Sequence, residues 1–297
     1  MRSRFRDYVS EALEPTLLLA FFISLVGIAA AASYGTISYL NSFLVVVGAV
    51  LAQMSVNLVN DYHDYSSGID KESTKTRFSG GSRLVSSGAV KHRHVLYMGL
   101  TSAAISGIIG IYLALAVSLW IFALIIVGIL AIFAYTKYII KFPLLPEPFV
   151  MFAFALVGVG SYIVAHGSFS GMGAALLTIV PAGMLGGIAA LANEVPDAEI
   201  DKKFGRRHAV IILNSNRKLS AYYMALMSIT YALVIFGVAR SLLNPFFLLA
   251  LLTLPAASYV AVGMLHYRNP QSYERFMATN IANIFVYLLI LVVAYSL

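Results

Sequence analysis

Three stretches of the chain carry no Asp, Glu, Lys or Arg: residues 15–60, 94–136 and 148–193, of 46, 43 and 46 residues. A single helix needs about 20 apolar residues to cross a bilayer. Each stretch therefore predicts two membrane helices joined by a tight turn. Polar and glycine-containing breaks fall near the midpoints, at Ser33–Thr36, Val117-Ser118 and His166-Gly167-Ser168. Three shorter charge-free stretches, 219–239, 241–267 and 276–297, each fit one further helix. The pattern predicts an all-α polytopic membrane protein, with nine transmembrane helices around a central cavity. Composition agrees, since only 11% of the residues are charged, against about 25% in soluble domains. The chain contains no cysteine, which excludes disulfides, thiol nucleophiles and zinc–thiolate centres.

Charge sets the orientation. Under the nine-helix reading, 19 of the 20 Lys and Arg residues fall on one side, with Arg240 the exception. Positive charge marks the cytoplasmic face, so the N-terminus is expected inside the cell and the C-terminus outside. The formal charge of +7 is then a matter of topology and does not imply a nucleic-acid partner. All 13 acidic residues lie on that same side, which the orientation rule does not require. Arg2, Arg4 and Arg6 before an apolar run ending in Ala30-Ala31-Ala32 resemble a signal peptide. A first transmembrane helix starting near Pro15 is the preferred reading, because proline suits the first helical turn.

Two connections are long and polar, 61–93 and 194–218, and each follows a span ending in Asn and acidic residues. The first contains Asn60, Asp61, Asp64 and, beyond Gly68, Asp70; the second contains Asn193, Asp197 and Asp201. A spacing of four places Asn60 with Asp64, and Asn193 with Asp197 and Asp201, on one helix face. Gly68 predicts a bend before Asp70, and Pro196 a disturbance of the second motif. Asn60 and Asn193 stand 133 residues apart, at the ends of the second and sixth spans, as in a parallel internal repeat. Such a repeat brings two carboxylate clusters face to face. Clustered carboxylates repel and are costly to desolvate. Mg²⁺ removes both problems, because it prefers oxygen ligands and bridges carboxylates to phosphates. Arg77, Arg83, Lys141, Lys202, Lys203, Arg206 and Arg207 lie in the same connections and would complete a clamp on a diphosphate. Gly80-Gly81 would allow the backbone close to an anion.

These motifs resemble the two aspartate-rich motifs of the UbiA superfamily of intramembrane prenyltransferases, over essentially the whole chain. The Asp64-to-Asp70 spacing, Tyr135-Thr136, Lys141, Glu147-Pro148, Gly160-Ser161-Tyr162 and the run from Asp201 to Arg206 are similar to the menaquinone-type branch. Pro146 and the loop around Arg77 depart from it. The resemblance implies a single domain over 1–297, with 61–93 and 194–218 as lid and active-site loops. It implies Mg²⁺-dependent transfer of a polyprenyl group, geranylgeranyl or longer, from an isoprenyl diphosphate to an aromatic acceptor at the cytoplasmic side of the cell membrane. The implied acceptor is 1,4-dihydroxy-2-naphthoate, with 4-hydroxybenzoate or geranylgeranylglyceryl phosphate as alternatives. Asn60, Asp64, Asp70, Asn193, Asp197 and Asp201 are the expected metal ligands, with Asp61 a further candidate. Arg77, Lys141, Lys202 and Arg206 are expected on the diphosphate. Tyr135 is expected to stabilise the allylic cation or orient the acceptor, and Glu147 to cap its helix or touch the acceptor. Asp64, Asp197, Asp201 and Tyr135 are the expected catalytic set. A proton- or sodium-coupled transporter is the rival class. Acids at one membrane edge and a repeat that is not inverted both weigh against it.

Overall fold

A computed structural model describes residues 7–9, 12, 14, 16–72, 85 and 88–297. The helices are α1 (Thr16–Ala32), α2 (Tyr39–Ser67), the short α3 (Ile69–Glu72), α4 (His92–Ala116), α5 (Ile121–Phe133), α6 (Pro146–His166), α7 (Met172–Glu194), the short α8 (Ala198–Lys203) and α9 (Ala209–Leu213), α10 (Asn216–Ala239), α11 (Leu254–Leu265) and α12 (Pro270–Ala294). No strand occurs among the described residues.

The expected turns are where the helices break. Ser38 caps α2, its hydroxyl accepting the Asn41 N–H at 3.4 Å. Pro146 sits in the first turn of α6, which ends at Gly167 with φ +78°, a conformation that glycine adopts without steric cost. Asn269 caps α12 by accepting the Ser272 N–H at 2.9 Å. The span expected at 241–267 is split. A 3₁₀ segment, Pro245–Thr253, leads into α11. Pro255 lies in the first turn of α11 and lacks the N–H that a continuous α-helix would direct back to Leu251.

Seven helices are long and apolar enough to cross a membrane, among the described residues, counting Pro245–Leu265 as one. The chain is therefore a multi-pass membrane protein. The remaining two expected spans correspond to α1 and α5, apolar helices of 17 and 13 residues. At 1.5 Å per residue α5 rises only about 20 Å, short of the roughly 30 Å hydrocarbon layer. The first polar connection also begins later than its charges suggest. Residues 61–67 continue α2, and the helix ends only at Gly68.

The helices pack as two unequal parts. Helices α1, α2, α4, α5, α6 and α7 surround an elongated cavity of about 490 Å³. The cavity is thus off-centre. On the far side α10 and α12 pack against α7, α12 also against α1, and α11 packs on α10 and α12; the three contribute no lining residue. Helix α7 is the junction between the parts, with 13 of its 23 residues buried. Small residues let it approach α6. A Cβ on Gly183 would come within 2.4 Å of the Ala155 backbone nitrogen. Likewise a Cβ on Gly27 of α1 would meet the Gly158 carbonyl oxygen of α6 at 2.2 Å. Without a hydrophobic driving force between helices in lipid, such close backbone packing is a main source of association. It also holds the cavity walls in place.

Candidate active site

The cavity runs along α2 from Val45 to Asp64, about 28 Å at helical rise. Most of its wall is apolar or glycine, including Ala49, Gly107, Ile125, Gly128 and Ile132. One end is polar. Asn60, Asp64, Asp70, Asn193, Glu194, Asp197, Asp201 and Arg206 all line it. Five acids there face one arginine, and all of the acidic and amide donors have oxygen atoms to offer. This donor set and its charge deficit fit a hard divalent cation.

Local structure brings the two motifs together in different ways. Asn60 and Asp64 share a face of α2, with the Asn60 amide donating to Asp64 Oδ2 at 3.3 Å. The Thr136 hydroxyl donates to Asn60 Oδ1 at 2.6 Å and so orients that amide. Gly68 takes φ +87°, and the reversal carries Asp70 to the cavity wall. The second motif is not a single helix face. Helix α7 ends at Glu194, the chain turns through Val195–Asp197, and α8 begins at Ala198. Asn193, Asp197 and Asp201 nevertheless all reach the cavity.

Arg206 joins the motifs. Its guanidinium Nη2 pairs with Asp64 Oδ1, and Nη1 lies 3.2 Å from Asp201 Oδ1. Its side chain is 15% exposed, against 11% for Asp64 and 5% for Asp201. Burial opposes its charge, but the two carboxylates outweigh that and hold its pKa above the ordinary arginine value. Two backbone bonds fix this loop against the α5–α6 connection: Arg207 N–H to the Ile140 carbonyl at 2.8 Å, and Leu144 N–H to the Arg207 carbonyl at 3.2 Å. Tyr135 lines the cavity beside the polar end and stacks on Phe149 with centroids 6.1 Å apart.

A model of the UbiA prenyltransferase family matches residues 20–289. The chain belongs to this family. It is a prenyltransferase. The 1,4-dihydroxy-2-naphthoate octaprenyltransferase of Bacillus subtilis (strain 168) is 25% identical over 261 residues, covering 86% of this chain and 81% of that protein. A UbiA homologue from Aeropyrum pernix K1 has the same fold, with TM-score 0.67 and 18% identity over 92% of this chain and 99% of that one. A UbiA homologue from Archaeoglobus fulgidus, solved with DMAPP and Mg²⁺, gives TM-score 0.55 and 15% identity over 93% of this chain and 99% of that one.

Within this prenyltransferase the cavity gathers Asn60, Asp64, Asp70, Asn193, Asp197, Asp201, Arg206 and Tyr135, and leaves other expected residues outside. Asp61 is buried but absent from the lining, because it sits one position round α2 from Asn60. Lys141 and Lys202 are exposed and do not line the cavity. Arg77, Arg83 and Gly80-Gly81 lie outside the described residues. Gly160 and Gly186 line the cavity, whereas Gly158, Gly183 and Gly187 serve helix contacts. Glu147 neither lines the cavity nor caps its own helix. It is fully buried, and its Oε1 accepts the Ala209 N–H of α9 at 2.6 Å.

Two residues escaped the sequence reading. Glu194 lines the cavity directly after Asn193. His208 is fully buried, with Nε2 3.0 Å from Asp201 Oδ2 and Nδ1 3.6 Å from Glu194 Oε2. Glu194 was legible as an acid closing a charge-free span. His208 was not, since nothing in its neighbourhood distinguishes it from a loop histidine.

Proposed function

We propose that this prenyltransferase moves a polyprenyl chain, geranylgeranyl or longer, from its diphosphate to 1,4-dihydroxy-2-naphthoate at the cytoplasmic face of the cell membrane. The observation that carries this reading is the cavity itself. It has an acidic, arginine-bearing head and a long apolar arm, complementary to a diphosphate joined to a hydrocarbon tail. The Bacillus subtilis relative supports the choice of acceptor. In this reading α1 and α5 complete nine membrane crossings, with the N-terminus inside; of the expected lid at 61–93, residues 73–84, 86 and 87 lie outside the described residues.

Asn60, Asp64, Asp70, Asn193, Asp197 and Asp201 would hold Mg²⁺. When bound, Mg²⁺ supplies charge that stabilises the departing diphosphate. Arg206 turns from the carboxylates to the diphosphate oxygens, where its fixed positive charge favours C–O cleavage. Tyr135 presents its ring to the allylic cation as the diphosphate leaves. The apolar wall keeps water from the cation, which would otherwise be quenched. A carbon of the electron-rich ring then bonds to the allylic carbon freed by C–O cleavage, and the ring regains aromaticity by releasing what that carbon carried, CO₂ where it bears the carboxylate or a proton to solvent where it bears hydrogen. The tail rests in the apolar arm, where each buried methylene contributes about 0.8 kcal/mol.

Product analysis by mass spectrometry tests this. Protein in detergent would receive geranylgeranyl diphosphate, Mg²⁺ and 1,4-dihydroxy-2-naphthoate, with chelator controls. Magnesium-dependent prenylated dihydroxynaphthalene, detected as the naphthoquinone after oxidation by air during work-up, is the expected result. Product only with 4-hydroxybenzoate or geranylgeranylglyceryl phosphate would overturn the acceptor while keeping the reaction.

A further inference from the structure

We propose that Glu147, Glu194 and His208 form a second metal site, for a first-row transition dication such as Zn²⁺, beside the carboxylates of the cavity head. The three residues come from the start of α6, the end of α7 and the residue before α9. One candidate ligand atom from each lies within 4.8 Å of the others. Glu147 and His208 are both fully buried.

The second atom of two of these groups is already anchored. Glu147 Oε1 accepts the Ala209 N–H at 2.6 Å. His208 Nε2 is 3.0 Å from Asp201 Oδ2. Such an anchor is the usual companion of a metal-bound histidine, which donates its other ring N–H to a carboxylate and so fixes the tautomer. With the proton on Nε2, Nδ1 carries a lone pair. Glu147 Oε2, Glu194 Oε2 and His208 Nδ1 are all buried without a hydrogen-bond partner. The three groups thus meet within 4.8 Å, each with a buried atom left without a partner. Lone pairs concentrated in a buried space repel, and desolvated carboxylates are costly without compensation. A single dication answers all three. An imidazole nitrogen with two carboxylates suits Zn²⁺, Mn²⁺ or Co²⁺ better than Mg²⁺. Glu194 borders the cavity, so a water could complete the coordination. The ion would tie α6, α7 and the α8–α9 segment together at the polar end. This site does not depend on which acceptor is prenylated.

The test uses the full chain in detergent, stripped with chelator. Zn²⁺ is added with a large excess of Mg²⁺ to saturate the carboxylates of the cavity head, and the protein is desalted and analysed for bound metal. One zinc per chain is expected in the wild type and in Asp64→Ala. Glu147→Gln and His208→Gln should lose it. Asp64→Ala separates this site from the prenyl-transfer site, since that variant should lose turnover and keep zinc. Should the buried variants not fold, Co²⁺ in the wild type provides the readout, with visible d–d bands and hyperfine coupling to an imidazole nitrogen expected. No zinc retained by the wild type would overturn the proposal. Undiminished zinc in folded Glu147→Gln and His208→Gln, or bound Co²⁺ without nitrogen coupling, would equally overturn it.

Discussion

Replacing Arg206 by alanine should destabilise the protein in the absence of divalent metal, and Mg²⁺ should restore most of the loss. Arg206 pairs with Asp64 and lies 3.2 Å from Asp201, with all three side chains at most 15% exposed. Removing one partner of a buried ion pair costs about 3–5 kcal/mol, because the remaining charge stays desolvated. The cavity mouth gives these carboxylates some access to water, so the lower figure of about 3 kcal/mol applies. At about 2 °C per kcal/mol for a chain of this size, the apparent Tm should fall by roughly 6 °C. An ion that binds only the folded state contributes about 2.7 kcal/mol at a hundredfold excess over its Kd. Mg²⁺ should therefore return nearly all the lost stability to Arg206→Ala. The wild type should gain less, since the ion must first displace the guanidinium. The assay is thermal unfolding in detergent at a fixed scan rate, with chelator and with MgCl₂. An unchanged Tm in chelator, or equal gains from Mg²⁺ in both proteins, would refute the view that Arg206 stands in for the ion.

Further outcomes follow from the same geometry. Asp64→Ala and Asp197→Ala should each abolish turnover while leaving a folded membrane protein, as judged by size-exclusion profile alongside product formation. Gly128→Leu should select against long donors. Gly128 lines the apolar arm and a Cβ there meets nothing within 4 Å, so the added side chain fills space needed by roughly two or more methylenes, worth about 10-fold or more in relative kcat/KM against a short prenyl diphosphate. Gly183→Leu should destabilise the fold by about 1–3 kcal/mol of overpacking, read as an apparent Tm lower by roughly 2–6 °C, because its Cβ would strike the α6 backbone at 2.4 Å. Gly68→Ala should weaken Mg²⁺ binding in calorimetry. Its φ of +87° would cost alanine about 1–2 kcal/mol, and relaxing that turn moves Asp70.

The place of most membrane-long helices and the six motif residues that line the polar end of the cavity were legible in the chain. Each rests on a local rule: a charge-free run must lie in lipid, and polar groups repeated every four positions meet on a helix. The same rules miscarry where local order breaks. Asn193, Asp197 and Asp201 were expected on one helix face, and they meet instead through the turn before α8. Lys141 and Lys202 were chosen for charge and proximity in sequence, yet their side chains point to solvent. Glu147 was read as serving its own helix or the acceptor, while its carboxylate holds α9, 62 residues further on.

By itself, then, the sequence determined a multi-pass helical protein with two oxygen-rich motifs at helix ends, because hydropathy and spacing act within a segment. Only the tertiary structure decided that the cavity lies among α1, α2 and α4–α7, that one arginine bridges both motifs, and that Glu147, Glu194 and His208 converge. Those outcomes depend on glycine-to-backbone contacts between helices and on hydrogen bonds spanning tens of residues. Pairings of that kind are set by the packing of separate elements and leave no periodic trace along the chain.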